Sequence, residues 1–409
     1  MKSWEEYVNP VVRAIPPSGI RRFFDLAAEM KGVISLGVGE PDFVTPWRIR
    51  EACIYALEKG YTMYTSNQGL KELREEIARY LQQAFQLRYD PGKEILITVG
   101  VSEALDLALR AFVAPGDEVL VPEPTYVSYI PCTALAGGVP VPLATRMENG
   151  FRITAAQVEQ AITPRSKVLL LAYPNNPTGA VLRRAELEDI ADVVKEHDLI
   201  VVSDEIYAQL TYEGEHTSIA RLPGMRERTV VLQGFSKAFA MTGWRLGYAA
   251  GNEAFIGAMN KIHQYTMLCA PITAQMAAIE ALRNGLKDMR QMVAQYSYRR
   301  RLVMNAFKEM DLPCFEPGGA FYAFPSIQDT GLGSDDFCER LLLEERVAVV
   351  PGTAFGPSGE GFVRCSYAAS VANLTEAFKR MANFLRRVRV KKKVMAPASG
   401  LPQATPREQ

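Results

Sequence analysis

Paired cysteines, ligand-spaced histidines, excess charge and long apolar runs are all missing from this chain, and each absence closes off a class of function. The three histidines, His197, His216 and His263, stand at no metal-ligand spacing, which argues against a zinc site. The six cysteines, Cys53, Cys132, Cys269, Cys314, Cys338 and Cys365, are scattered without a C-x-x-C pair. They read as reduced, buried thiols rather than as a disulfide framework or a redox motif. Forty-six basic and 46 acidic residues cancel, and no long basic block interrupts the main body, so there is no electrostatic footprint for nucleic acid. No run reaches the ~18 apolar residues that span a bilayer. The opening residues, Met1-Lys2-Ser3-Trp4-Glu5-Glu6, lack the apolar centre of a signal peptide. The expectation is a cytoplasmic protein with no nucleic-acid or membrane partner.

What is present is the composition of a packed globular protein, 48% apolar and 22% charged, with length for two or three lobes at about 150 residues each. Apolar runs at 95–98, 118–121, 168–172, 200–203 and 229–232 alternate with helical spacing, as in Leu70, Leu73, Ile77 and Leu81. Near-continuous apolar strands separated by helices predict an α/β fold with a mostly parallel sheet covered on both faces. A long helix over 274–308, interrupted only by Gly285, marks the crossing into a smaller lobe with strands at 321–324, 347–350 and 362–366 and a last helix over 373–387. At the other end Pro10, Pro16 and Pro17 predict an arm, followed by a helix from Ser18 to Met30 and a short strand at 33–36. The expected organisation is an N-terminal arm and part of the small domain over 1–45, a large domain over 46–284, a small domain over 285–390, and a polar, disordered tail over 391–409.

Ligands of such sheets bind beyond the carboxyl ends of the strands. Here those ends carry Tyr126, Asn176, then Asp204 with Tyr207, and finally the stretch GFSKAFAMTGWRLGY at 234–248. Lys237 in that stretch sits in a loop just past an apolar strand, among small and hydroxyl residues. Desolvation there favours the neutral amine, a nucleophile for an aldehyde. Arg245, eight residues on, and Ser236 suit a phosphate. A glycine turn and helix start at Gly100-Val101-Ser102 offer free N–H groups and the positive end of a helix dipole to the same anion. A lysine beside a phosphate cup suggests a phosphorylated aldehyde, pyridoxal 5'-phosphate (PLP).

The stretch closely resembles the Schiff-base signature of the class I/II aminotransferases, fold-type-I PLP enzymes of the aspartate and aromatic branch. Further resemblances follow in order over roughly residues 30 to 385. The resemblance implies that Lys237 holds the cofactor and then carries the proton. Asp204 would keep the pyridine nitrogen charged, Tyr207 and Asn176 would donate to the ring's phenolate oxygen, and Tyr126 would stack on the ring. Gly100, Val101, Ser102, Ser236 and Arg245 would hold the phosphate, joined by Tyr64 reaching across a dimer interface. Gly39, in a loop similar to the family's substrate-closing GEPDF segment, Tyr126, Asn176 and Arg364 would contact the substrate, Arg364 through its α-carboxylate; the alternative for Arg364 is a structural salt bridge to a glutamate. The implied function is ping-pong transfer of an amino group from an L-α-amino acid to a 2-oxo acid by a homodimer with shared sites. Ser18-Gly19-Ile20-Arg21, and the lack of an obvious second arginine, lean toward aromatic or broad specificity. The rivals are a PLP-dependent lyase or decarboxylase on the same fold, and a non-enzymatic PLP-binding regulator.

Overall fold

The computed structural model describes residues 4–17, 19 and 30–395. The helix expected from Ser18 to Met30 and most of the expected tail lie outside the described residues.

Twelve strands are described, β1 Ile34–Ser35, β2 Ile95–Thr98, β3 Glu118–Glu123, β4 Val139–Ala144, β5 Ser166–Ala172, β6 Ile200–Asp204, β7 Thr229–Gly234, β8 Gly247–Ala250, β9 Tyr322–Ala323, β10 Val347–Ala348, β11 Val350–Pro351 and β12 Val363–Ser366. Seven of them form one sheet in the order β2-β8-β7-β6-β5-β3-β4. Its pairs are parallel except those of β8, which runs antiparallel to both β2 and β7. The mostly parallel sheet follows from the sequence pattern: β2, β3 and β5 to β7 are buried almost throughout, so their side chains must meet helices on both faces.

Strand parity assigns the faces. Leu96, Val119, Val121, Val168, Leu170, Val202, Val230 and Leu232 pack with Leu105, Leu109 and Phe112 of the helix Val101–Phe112 and with Ile256 and Met259 of the helix Glu253–Thr266. On the opposite face Leu120, Leu169, Leu171 and Val201 meet Leu187, Ile190 and Val194 of Arg184–Glu196. Farther along that face Ile95, Ile97 and Val231 belong to the cluster that contains Leu73, Ile77 and Leu81 of Lys71–Phe85.

The helix expected over 274–308 is two helices, Ile272–Asn284 and Leu286–Glu309. Gly285 ends one and begins the next; its N–H donates to Ala281 O at 2.9 Å and its carbonyl accepts from Met289 N at 3.0 Å. A Cβ at Gly285 would stand 2.7 Å from Ala281 O, so the break needs glycine.

Beyond it, β9, β11 and β12 form an antiparallel sheet in the order β11-β12-β9, and β1 pairs in parallel with β10. The segment before residue 36 is thereby joined to strands some 310 positions later, since Ile34 lies opposite Val347. The last helix is longer than its apolar spacing indicates, Val371–Met395 rather than 373–387. The expected tail therefore begins inside a helix: lysine and arginine are good helix formers, and a polar run without apolar period can continue one.

Candidate active site

Strand β7 ends at Gly234 and the chain turns into one helical turn, Phe235–Ala238, so Lys237 lies on a short helix rather than in the expected loop. Its Nζ donates a hydrogen bond to the carbonyl of Gly39 at 2.7 Å. Burial pushes the Lys237 ammonium down to about 8; Glu40 opposes that shift and Arg364 and Arg245 add to it.

Asp204 is the last residue of β6, level with Ala172 of β5. Tyr129 donates to its Oδ2 at 2.8 Å and the Ile206 N–H to its Oδ1 at 3.1 Å. Burial raises the carboxyl to about 6, against the lowering effect of both hydrogen bonds. Tyr129 has no role in the sequence reading. Its signal is present: it lies three residues, about one helical turn, beyond Tyr126, and the two rings meet edge to face at 5.6 Å.

An anion cup forms where β2 meets the helix Val101–Phe112. Gly100 caps that helix at φ +79°, and the first N–H groups have no partner within it. Gly247 of β8 lies directly beneath; a Cβ there would come within 2.7 Å of Val101 N, so only glycine lets the turn rest on the sheet. Arg245 enters from the side, its Nη1 donating to Thr242 O at 3.2 Å. A Cβ on Gly100 would stand 2.6 Å from Arg245 Nη2, which puts the guanidinium against the start of the helix.

Arg364 of β12 is buried, with its guanidinium 4.5 Å from the Tyr322 ring centroid and 4.9 Å from that of Phe355. Both of its hydrogen-bond partners are neutral, Asn176 Oδ1 at 2.9 Å and Gly37 O at 2.5 Å, and its Nε has none. A buried cation held by carbonyls alone is costly. Its surroundings suit an incoming carboxylate better than a structural salt bridge. Beside it the hydroxyls of Tyr207 and Tyr322 lie 2.8 Å apart, and burial raises the Tyr207 phenol well above its usual value. Tyr322 was legible only as part of an aromatic strand.

These groups line one cleft of about 820 Å³. It brings together Gly39, Val101, Ser102, Tyr126, Asn176, Asp204, Tyr207, Ser236, Lys237, Arg245 and Arg364, together with Glu40, Tyr129 and Tyr322. Gly100 lies just behind the lining. Tyr64 is elsewhere: it is 83% exposed and not part of the cleft of its own chain. A larger, shallower hollow of about 1090 Å³ lies between Trp47 and Gln295, but it has no such convergence, and its Arg48 faces Asp288 at 3.6 Å.

The cleft combines groups suited to a phosphate, Ser102 and Arg245, with one suited to a carboxylate, Arg364, and with a lysine amine and an aspartate. Comparison with known proteins agrees with that chemistry. The family model for aminotransferases of class I and II matches residues 31–381. The Bacillus subtilis protein YugH is 58% identical over 93% of this chain and 99% of its own. An aspartate aminotransferase of Pyrococcus abyssi is 49% identical over 91% of this chain and 96% of its own. The crystal structure of an aromatic aminotransferase from Pyrococcus horikoshii superposes with a TM-score of 0.86 at 47% identity, covering 90% of this chain and 99% of that one. With a family model spanning most of the sequence and near full-length relatives at this identity, the chain belongs to the class I and II aminotransferases, and it is an aminotransferase.

Proposed function

We propose that this aminotransferase uses PLP held on Lys237 and works as a cytoplasmic homodimer, passing the amino group of an L-α-amino acid to a 2-oxo acid. The observation that carries the reading is that Lys237, its ammonium lowered to about 8, lines one cleft with Ser102 and Arg245 of the anion cup and with the neutral-partnered Arg364. The residues fit the cofactor. A Cβ at Gly100 would fill space that the Arg245 guanidinium shares with the helix start, the arrangement expected of a phosphate cradle.

When bound, PLP supplies an aldehyde for the amino group and a ring that withdraws electrons from the α-carbon. The chain supplies the rest. Asp204 holds a negative charge where a ring nitrogen would need it, and Tyr129 and Ile206 N–H hold the carboxylate in place. Tyr207 and Asn176 would hydrogen-bond the phenolate oxygen, and Tyr126 would cover the ring face. Arg364 would orient the α-carboxylate so that the bond to be broken faces Lys237, whose Nζ takes the α-proton as a base and returns it as an acid.

Dimerisation is supported by exposed apolar side chains next to Tyr64 in the chain, Tyr55, Leu57, Tyr61 and Met63, and by Tyr265 and Met267 next to Leu268. Asn67 Nδ2 ties the Tyr64 loop to Leu268 O at 2.7 Å. A second copy would both cover this surface and receive Tyr64 at its phosphate site. The aspartate and aromatic activities named for the relatives leave both amino-acid classes as donors to be tried.

The test is a single turnover. PLP-loaded protein mixed with one amino acid should release one equivalent of the matching 2-oxo acid and leave the cofactor as its amine. Release of carbon dioxide or ammonia instead would point to a decarboxylase or lyase.

A further inference from the structure

The two cations that matter most in the cleft share one support. Lys237 Nζ donates to Gly39 O at 2.7 Å and Arg364 Nη2 to Gly37 O at 2.5 Å. These carbonyls lie two residues apart in one stretch of chain, so the position of that stretch sets where both side chains rest. Before it, backbone bonds from Leu36 N to Ala348 O at 2.8 Å and from Ser366 N to Leu36 O at 2.7 Å anchor the chain to β10 and β12. After it, Thr45 Oγ1 donates to Ala240 O at 2.5 Å. Between these anchors the chain is steered from outside the cleft.

That steering comes from Asp42, whose Oδ1 accepts from Arg299 Nη1 at 2.7 Å. Arg299 lies in the helix Leu286–Glu309 and its side chain is only 8% exposed. Its guanidinium is 5.1 Å from the centroid of the Phe43 ring and 5.5 Å from that of Tyr296, which restricts the directions in which it can point. The aromatic contacts continue inward, Tyr296 against Phe321 at 5.3 Å and Phe321 against Tyr207 at 5.5 Å and Tyr322 at 4.8 Å. At the near end a Cβ on Gly39 would stand 2.9 Å from the Tyr322 hydroxyl. The stretch therefore lies close against Tyr322 at Gly39 and is held by Arg299 at Asp42.

We propose that Arg299 is a positioning residue for the transamination chemistry: by fixing Asp42 it holds the Gly39 and Gly37 carbonyls as the acceptors that aim Lys237 and Arg364 at the substrate. The inference rests on the reading of Lys237 as the proton-carrying amine. To carry that proton, the amine of Lys237 would need an acceptor that keeps it beside the α-carbon whenever it is not bonded to the cofactor. Gly39 O, 2.7 Å from Nζ, is placed to be that acceptor. The groups that face Lys237 are Glu40 from the same stretch, Asp204 from β6, Arg245 from beside the anion cup and Arg364 from β12. Of these, Asp204, Arg245 and Arg364 lie on other elements, whereas Glu40 would move with the stretch, and its withdrawal from Lys237 would lower the lysine in the same direction as a lost hydrogen bond to Gly39 O.

The test uses Arg299→Gln, Arg299→Lys, Asp42→Asn and the double variant Asp42→Asn/Arg299→Gln, each measured in two ways. In cofactor-free protein, labelling of Lys237 with acetic anhydride across a pH series, read by peptide mapping, reports the lysine directly. Arg299→Gln and Asp42→Asn should each lower the labelling midpoint by about half a unit to one unit, roughly half of what complete loss of a hydrogen bond to an ammonium would give, because the bond to Gly39 O is loosened rather than removed. In PLP-loaded protein the same variants should lose roughly tenfold in kcat as well as raising KM, because both the proton carrier and the carboxylate anchor lose aim. The double variant should be no worse than the poorer single one, and Arg299→Lys should recover most of the labelling midpoint. If Arg299→Gln does not fold, Asp42→Asn at the more exposed end of the pair carries the test. A fall in thermal midpoint with the labelling midpoint and kcat unchanged would overturn the proposal, making the pair structural. Wild-type protein that fails to transaminate would defeat the functional reading instead, whatever the labelling shows.

Discussion

Tyr129 donates a hydrogen bond of 2.8 Å to the buried carboxylate of Asp204, from one helical turn beyond Tyr126. A carboxylate out of water rises in pKa, and Asp204 reaches about 6 because desolvation outweighs its two hydrogen bonds. A bound cationic ring would favour its ionised form. On this view Asp204→Ala keeps the cofactor link, because Lys237 and the anion cup are untouched, but loses about 10³-fold or more in turnover. That loss corresponds to ~4 kcal/mol for a charge-assisted contact that strengthens in the transition state. Steady-state kinetics together with the visible spectrum of the bound cofactor check it; near-normal turnover would make the aspartate structural.

Lys237 gives a pH expectation of its own. Its folded-state pKa is lowered from 10.5 to about 8, chiefly by burial. The charged form is therefore the one that folding disfavours. In cofactor-free protein the neutral, reactive amine should appear as pH rises through about 8, and the penalty of the buried ammonium should be relieved over the window from about 8 to 10.5. Acetylation rates of individual lysines measure this. A midpoint for Lys237 equal to that of exposed lysines would show that the cleft leaves the amine unaltered.

Arg364 is the substrate's anchor in this reading. Arg364→Lys should raise KM for every α-amino acid and 2-oxo acid by roughly 30-fold or more, matching the ~2 to 4 kcal/mol of a lost bidentate contact, whatever the side chain of the substrate. The spectrum of the bound cofactor should be spared. A change confined to thermal stability, with Michaelis constants as in the parent, would return Arg364 to a structural role.

The sequence made the sheet and most of the cleft legible for a physical reason. Buried parallel strands are written as unbroken apolar runs, and the groups that follow their carboxyl ends, Tyr126, Asn176, Asp204 and Lys237, meet wherever such strands align. The signature around Lys237 supplied the family resemblance. Contacts between distant elements were not legible. Nothing in the spacing pairs Asp42 with Arg299 across 257 residues, or sets Tyr322 beside Tyr207. The turn that carries Lys237 is too short to show a helical period, and a charged, non-periodic run concealed the helix up to Met395.

In the proposed dimer, Tyr64 would complete the phosphate site of the partner subunit. Mixed under exchange conditions, inactive Lys237→Ala and inactive Tyr64→Ala subunits should regain activity, since half of the sites in a heterodimer would then hold both native residues. Subunit exchange confirmed by mass spectrometry with no recovery would argue for sites built from single chains.

The most direct measurement is chemical. Protein loaded with PLP, reduced with borohydride and digested, should carry the reduced cofactor on the peptide containing Lys237, and Lys237→Ala should lose that label while still binding PLP weakly through the phosphate cup. Recovery of the label mainly on any other lysine would contradict the assignment of this cleft as the site of transamination.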